Sequence, residues 1–177
     1  MYNHLKDLIK DLNNKYPFGK GIEVGTFKGQ TSQYILQKWN GKLYMVDVWK
    51  PLPESEYQAT DNHSTHNTAY KETMDNIKGY EDRGIMIRTT SKEASNLFPD
   101  ESLDWIYIDA NHAYDYVKED LQLWWPKLKK GGLFSGHDYM NMDWYNDPNF
   151  LPNGKDKHIY TATYEGKSFY NGVFGVN

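Results

Sequence analysis

The chain has 177 residues, 38% of them hydrophobic, which is enough to bury one sizeable core and gives no reason to expect two domains. Mean hydropathy is low at -0.85, yet 15 Tyr, 7 Phe and 6 Trp supply large apolar areas, so the composition is that of a folded domain with a polar exterior. A net charge of -4 with no basic run longer than Lys129-Lys130 argues against nucleic-acid binding, and zero cysteine excludes a disulfide framework, a thiol nucleophile and a thiolate zinc site.

The N-terminal stretch is punctuated by Lys6, Asp7, Lys10 and Asp11, so it does not read as a signal peptide, and no apolar run reaches membrane-spanning length. A cytoplasmic protein acting on a small, uncharged or polar molecule is the expectation. Leu5, Leu8, Ile9 and Leu12 recur at helical spacing, which predicts an amphipathic lid or packing helix over 3–14. Gly21-Ile-Glu-Val is a short β-branched strand, followed by a glycine turn, a helix over 31–39 and a second buried strand, Leu43-Tyr-Met-Val-Asp-Val-Trp49. Together these form a β-α-β unit.

Residues 50–66, with Pro51 and Pro53, read as a long excursion in which His63 and His66 are solvated rather than ligands. Further on, the pattern predicts a helix over 68–77, a strand over 85–89 and a short helix over 92–97. Leu103-Asp-Trp-Ile-Tyr-Ile-Asp109 is apolar almost throughout, as a strand covered on both faces should be. A helix over 114–128, kinked at Pro126 and ended by Gly131-Gly132, leads to the strand Leu133-Phe-Ser-Gly-His-Asp138. Past Tyr139 the sequence is a polar loop and a candidate hairpin over 158–170 turning at Glu165-Gly166, and the last residues read as an interrupted chain. Aromatics at Trp144, Tyr145, Phe150, Tyr160, Tyr164 and Tyr170 suit loop packing better than a stacking wall for an acceptor.

Alternation of strands and helices predicts an α/β, Rossmann-like, mostly parallel sheet with helices on both faces and its C-terminal strands reduced, as one domain over 1–177. Ligands bind such sheets at the carboxyl ends of the strands, where Glu23, Asp47, Asp109, His137 and Asp138 fall. The turn Glu23-Val-Gly25-Thr26-Phe-Lys-Gly29 links a strand to a helix, where backbone N–H groups and the helix dipole favour an anionic group. It lacks the spacing of a dinucleotide fingerprint and the Lys-Ser/Thr of a P-loop. A tight turn that merely needs glycine explains the loop alone almost as well. Asp47, 22 positions after Gly25, adds a carboxylate able to accept from both hydroxyls of a ribose.

Loop and carboxylate together resemble the class I S-adenosylmethionine (SAM)-dependent methyltransferases over about residues 21–139. The segment Asp104-Trp-Ile-Tyr-Ile-Asp109-Ala-Asn-His112-Ala-Tyr114 with Gly136-His137-Asp138-Tyr139 is similar, more narrowly, to the group that includes the metal-dependent macrolide-sugar O-methyltransferases. Ala110-Asn111 stands where that group has Gly-Asp, one carboxylate fewer. The resemblance implies SAM as cofactor, with Glu23, Gly25, Thr26 and Gly29 on its methionine and ribose side, Asp47 on the ribose, and Thr90 or Ser91 near the adenine. It also implies Asp109 beside the cofactor, Asp109, His137 and Asp138 as ligands of Mg2+, and His112 with Asp109 as catalytic residues. Methyl transfer to a hydroxyl of a sugar or other small polar metabolite follows as the expected activity. A non-catalytic SAM-binding module competes with it, supported by the missing carboxylate and the abrupt end, as does a metal-dependent hydrolase built on the Asp/His cluster.

Overall fold

The computed structural model describes the backbone of residues 3–50, 63–111, 114–137, 161–164 and 167–170, and side chains within 5–50, 66–111 and 115–137. Helix α1 (Asn3–Lys15) precedes β1 (Lys20–Val24), α2 (Gln30–Lys38), β2 (Lys42–Asp47), α3 (His63–Asn76), β3 (Gly84–Arg88) and α4 (Ser91–Ser95). β4 (Leu103–Ile108), α5 (Tyr114–Trp124), a 3-10 turn (Trp125–Lys127), β5 (Leu128–Gly136), β6 (Thr161–Tyr164) and β7 (Lys167–Tyr170) complete the order. The sheet runs β3-β2-β1-β4-β5-β7-β6. β1 to β5 are all parallel to their neighbours, as crossover helices require. Of the hairpin expected over 158–170, two four-residue strands are described: β7 lies parallel to β5, and β6 pairs antiparallel with β7, while the expected turn at Glu165-Gly166 lies outside the described residues.

Helices cover both faces of the sheet. On one, α1 lays Leu5, Leu8, Ile9 and Leu12 beside Ile35 and Leu36 of α2 over Leu43, Met45, Trp105 and Tyr107, so α1 is the packing helix its spacing predicts. On the other, Ile22, Val24, Val46, Ile106, Ile108 and Phe134 meet Ala94 of α4 and Trp124 of α5. β4 is buried at all six positions, which is why its sequence does not alternate. Gly21 pairs with Trp105, and a Cβ at Gly21 would lie 1.8 Å from the indole nitrogen, so this glycine makes room for the indole.

The structure corrects the sequence reading in two regions. Helix α5 ends at Trp124, because Pro126 has no N–H to continue the ladder, and the chain passes through the 3-10 turn into a nine-residue strand. Gly131-Gly132 therefore lies inside β5 and ends no helix. Opposite it β4 advances from Leu103 to Trp105 while β5 advances from Leu128 to Leu133, and Gly131, at φ 78°, helps absorb the surplus. Helix α3 begins at His63, not near Thr68, and His66 is buried rather than solvated. Among the described residues no helix is long and apolar enough to cross a membrane.

Candidate functional site

The strand order turns back between β1 and β4, so the loops leaving these neighbours diverge and open a crevice at their carboxyl ends. The glycine loop forms one wall. Gly25, at φ 93°, donates its N–H to Val46 O at 2.8 Å and lies so close to the chain leaving β4 that a Cβ would sit 2.0 Å from the Asp109 carbonyl oxygen. Gly29, at φ 73°, is the N-cap of α2 and offers no side chain to cap it. The first N–H groups of that helix thus open towards the loop. Thr26 is buried, with its hydroxyl in no regular hydrogen bond although it lies near enough to Glu23 to favour that carboxylate's charge.

Glu23 is enclosed beneath this loop, and its carboxylate accepts from the Ser32 hydroxyl of α2. Burial raises its pKa to about 8, against the pull of that bond, and the charges of Asp109 and Asp47 push the same way. The acid is therefore largely protonated at neutral pH. Asp47, at the end of β2, uses Oδ2 to accept from Phe27 N at 2.8 Å and Oδ1 to accept from Trp49 N at 2.9 Å. Its pKa is raised by burial, opposed by the N–H donors of Trp49, Phe27 and Val48 and by the His66 side chain.

At the end of β4, Asp109 donates its N–H to Val24 O at 2.7 Å, and just past β5 the His137 N–H reaches Ile108 O at 2.9 Å. Their side chains meet: His137 Nδ1 is 3.7 Å from Asp109 Oδ1, and both are about a quarter exposed. Glu23, Gly25, Thr26, Gly29, Asp47, Asp109 and His137 thus share one edge of the sheet. His112 and Asp138 lie outside the described residues, and among the described ones no group of three or more His, Asp or Glu could hold a metal ion. Thr90 caps α4 through a reciprocal box with Glu93. The Ser91 hydroxyl donates to Asp120 on α5 and accepts from Trp124 Nε1 at 2.8 Å, so both its hydrogen-bonding directions tie two helices together.

Residues 22–139 match the family model described as a methyltransferase domain, about two thirds of the chain. The chain belongs to that family. A Staphylococcus aureus protein provisionally described as a caffeoyl-CoA O-methyltransferase has a similar fold, with a TM-score of 0.53 at 21% identity over 72% of this chain and 54% of that one. So does the 1,6-didemethyltoxoflavin N1-methyltransferase of Burkholderia thailandensis, solved with its substrate and S-adenosylhomocysteine (TM-score 0.51, 13% identity, 78% of this chain and 53% of that one). An uncharacterized protein of Sinorhizobium fredii is 26% identical over 97 residues, 55% of this chain and 10% of its own length. The chain therefore spans about half of the first solved structure and a tenth of that relative. The fold of these neighbours is the class I methyltransferase fold, which is what β1 to β5 build here.

Several residues around the site of this methyltransferase domain escaped the sequence reading. Ser32 and Trp49 could have been found: Ser32 lies in the first turn of the helix after the glycine loop, and Trp49 follows the second strand two residues past Asp47. His66, which the sequence reading took as solvated, and Thr73 carry no such signal, because the site residues they meet, Asp47 and Phe27, are more than 18 positions away along the chain.

Proposed function

We propose that this domain binds SAM at the β1–β2–β4 edge and transfers its methyl group to a hydroxyl of a sugar or another small polar acceptor. The observation that carries the reading is Asp47, a carboxylate held by two backbone N–H groups beside a glycine turn and the uncapped start of α2. The residues fit the cofactor: Thr26 keeps a buried hydroxyl without a regular partner, and the α2 N-terminus suits a carboxylate. Bound there, SAM supplies an electrophilic methyl group on a cationic sulfur. Asp47 accepts from the ribose hydroxyls, and Glu23, Gly25, Thr26 and Gly29 line the methionine side; the Ser91 hydroxyl, spent on Asp120 and Trp124, is left out of the adenine contact. Asp109 orients the acceptor, and Asp109 or His112 removes its proton. Asp109 and His137, with Asp138, supply the oxygen and nitrogen donors for an assisting Mg2+ that would acidify the acceptor hydroxyl.

Calorimetric titration of SAM and its demethylated product into wild type and Asp47→Ala tests the cofactor. Loss of hydrogen bonds to a charged group predicts affinity lower by about tenfold to a hundredfold in the variant, and absence of binding to wild type overturns the reading. Asp109→Ala should keep SAM affinity and lose turnover; turnover untouched by EDTA removes Mg2+. A second reading, a SAM-binding module without turnover, is favoured by Ala110-Asn111. It predicts binding with no methyl transfer to any polyhydroxylated acceptor.

A further inference from the structure

The glycine loop is held from outside itself, by α3 and by Trp49. The Phe27 carbonyl accepts from Trp49 Nε1 at 2.6 Å and from the Thr73 hydroxyl of α3 at 2.8 Å, while Asn76 donates to the next carbonyl, that of Lys28, at 2.9 Å. Phe27 has φ 50° and Trp49 φ 40°, left-handed conformations that a residue with a side chain adopts only when its surroundings hold it there. Their bonds close a ring: Phe27 N–H to Asp47 Oδ2, Trp49 N–H to Asp47 Oδ1, and the Trp49 indole back to Phe27 O. Trp49 is buried, its own carbonyl accepts from Arg88 at 2.7 Å, and its ring stacks edge-on with Tyr70 of α3.

We infer that Trp49 and Thr73 are positioning residues for the cofactor, acting as a two-donor latch on the Phe27 carbonyl that ties α3 to the glycine loop and fixes Asp47. The inference rests on the proposed SAM site for its functional consequence and on the hydrogen bonds of the loop for its mechanics. The two donors are unequal. Trp49 Nε1 has one acceptor, whereas the single Thr73 proton alternates between Phe27 O and Ala69 O, 2.9 Å away in its own helix. Either donor alone keeps the carbonyl satisfied; removal of both leaves it with none of these partners. The latch is therefore redundant, and redundancy has a signature: two weak single effects and a double effect larger than their product.

Trp49→Phe keeps one aromatic ring at the site and loses the five-membered ring with its N–H, and Thr73→Val keeps the shape and loses the hydroxyl. SAM titration and hydrogen exchange of peptides covering 25–33, in apo protein, are measured on both single variants and the double. Each single change should weaken SAM binding by about threefold, Trp49→Phe the more, and the double by about twentyfold or more, with kcat at saturating SAM unchanged. Exchange at 25–33 should rise in the double while β4 and β5 stay protected. Thr73→Ser in the Trp49→Phe background should keep the affinity of the single variant. Effects that simply multiply, or loop exchange that does not move in the double, overturn the latch. A wild type that fails to bind SAM overturns the proposed function, and the exchange data still decide the latch.

Discussion

Glu23→Gln isolates the cost of enclosing an acid under the glycine loop. A carboxyl whose pKa is near 4.5 when unfolded and about 8 when folded binds more protons in the native state throughout the interval between. Its contribution to stability is complete below pH 4.5 and is lost as pH rises towards 8. From the two values the loss between pH 6 and pH 8 is about 2 kcal/mol, or about 4–8 °C in Tm for a domain of this size. Glutamine presents the same shape and still accepts from Ser32, but it cannot ionise. Urea unfolding followed by tryptophan fluorescence at pH 6, 7 and 8 should show the variant gaining stability relative to wild type by that amount across the range. The difference between the proteins cancels the histidines that titrate in both. A difference that stays constant from pH 6 to pH 8 would refute the buried neutral acid.

Gly25→Ala places a methyl group 2.0 Å from the Asp109 carbonyl at φ 93°, so thermal unfolding should report a loss of about 3 kcal/mol or more and SAM titration no measurable binding. Gly79→Ala is its control: φ is 86° but the space is open, so only the conformational cost of about 1 kcal/mol should appear. Ser91→Ala strips Asp120 and the Trp124 indole of a shared partner, and burial already raises the Asp120 pKa to about 6. We expect a stability loss of about 1–3 kcal/mol in urea unfolding with SAM affinity unchanged. A fall in affinity with stability intact would instead put this hydroxyl at the adenine.

Much of the framework was legible because burial writes itself into spacing. The near-continuous apolar character of β4, the apolar run Leu43–Val46 of β2 and the 3-4 spacing of α1 each state how many faces they cover. Asp47 and the glycine turn were legible as neighbours because both stand at the carboxyl ends of adjacent parallel strands, β1 and β2. The start of α3 was hidden because the face it buries is polar: His66 and Thr73 replace the leucines that periodicity looks for, and Thr73 bonds to a loop carbonyl 46 positions away. Gly131-Gly132 misled because glycine ends helices and permits bulges alike, and only the register of β4 against β5 separates the two. Ser91 stands at a position where a binding residue would be expected, but its bonds to Asp120 and Trp124 are invisible from sequence.

Helix α3 has consequences for how such a domain can diversify. His66, Ala69 and Thr73 are buried towards the loop and the sheet, and Asn76 reaches the Lys28 carbonyl, whereas Asn67, Thr68, Lys71, Met74 and Asp75 face outwards. One side of the helix is committed to the glycine loop and tolerates little exchange. The other is free to drift, so descendants of this chain can rewrite the outward stripe towards new molecules while inheriting the inner one unchanged.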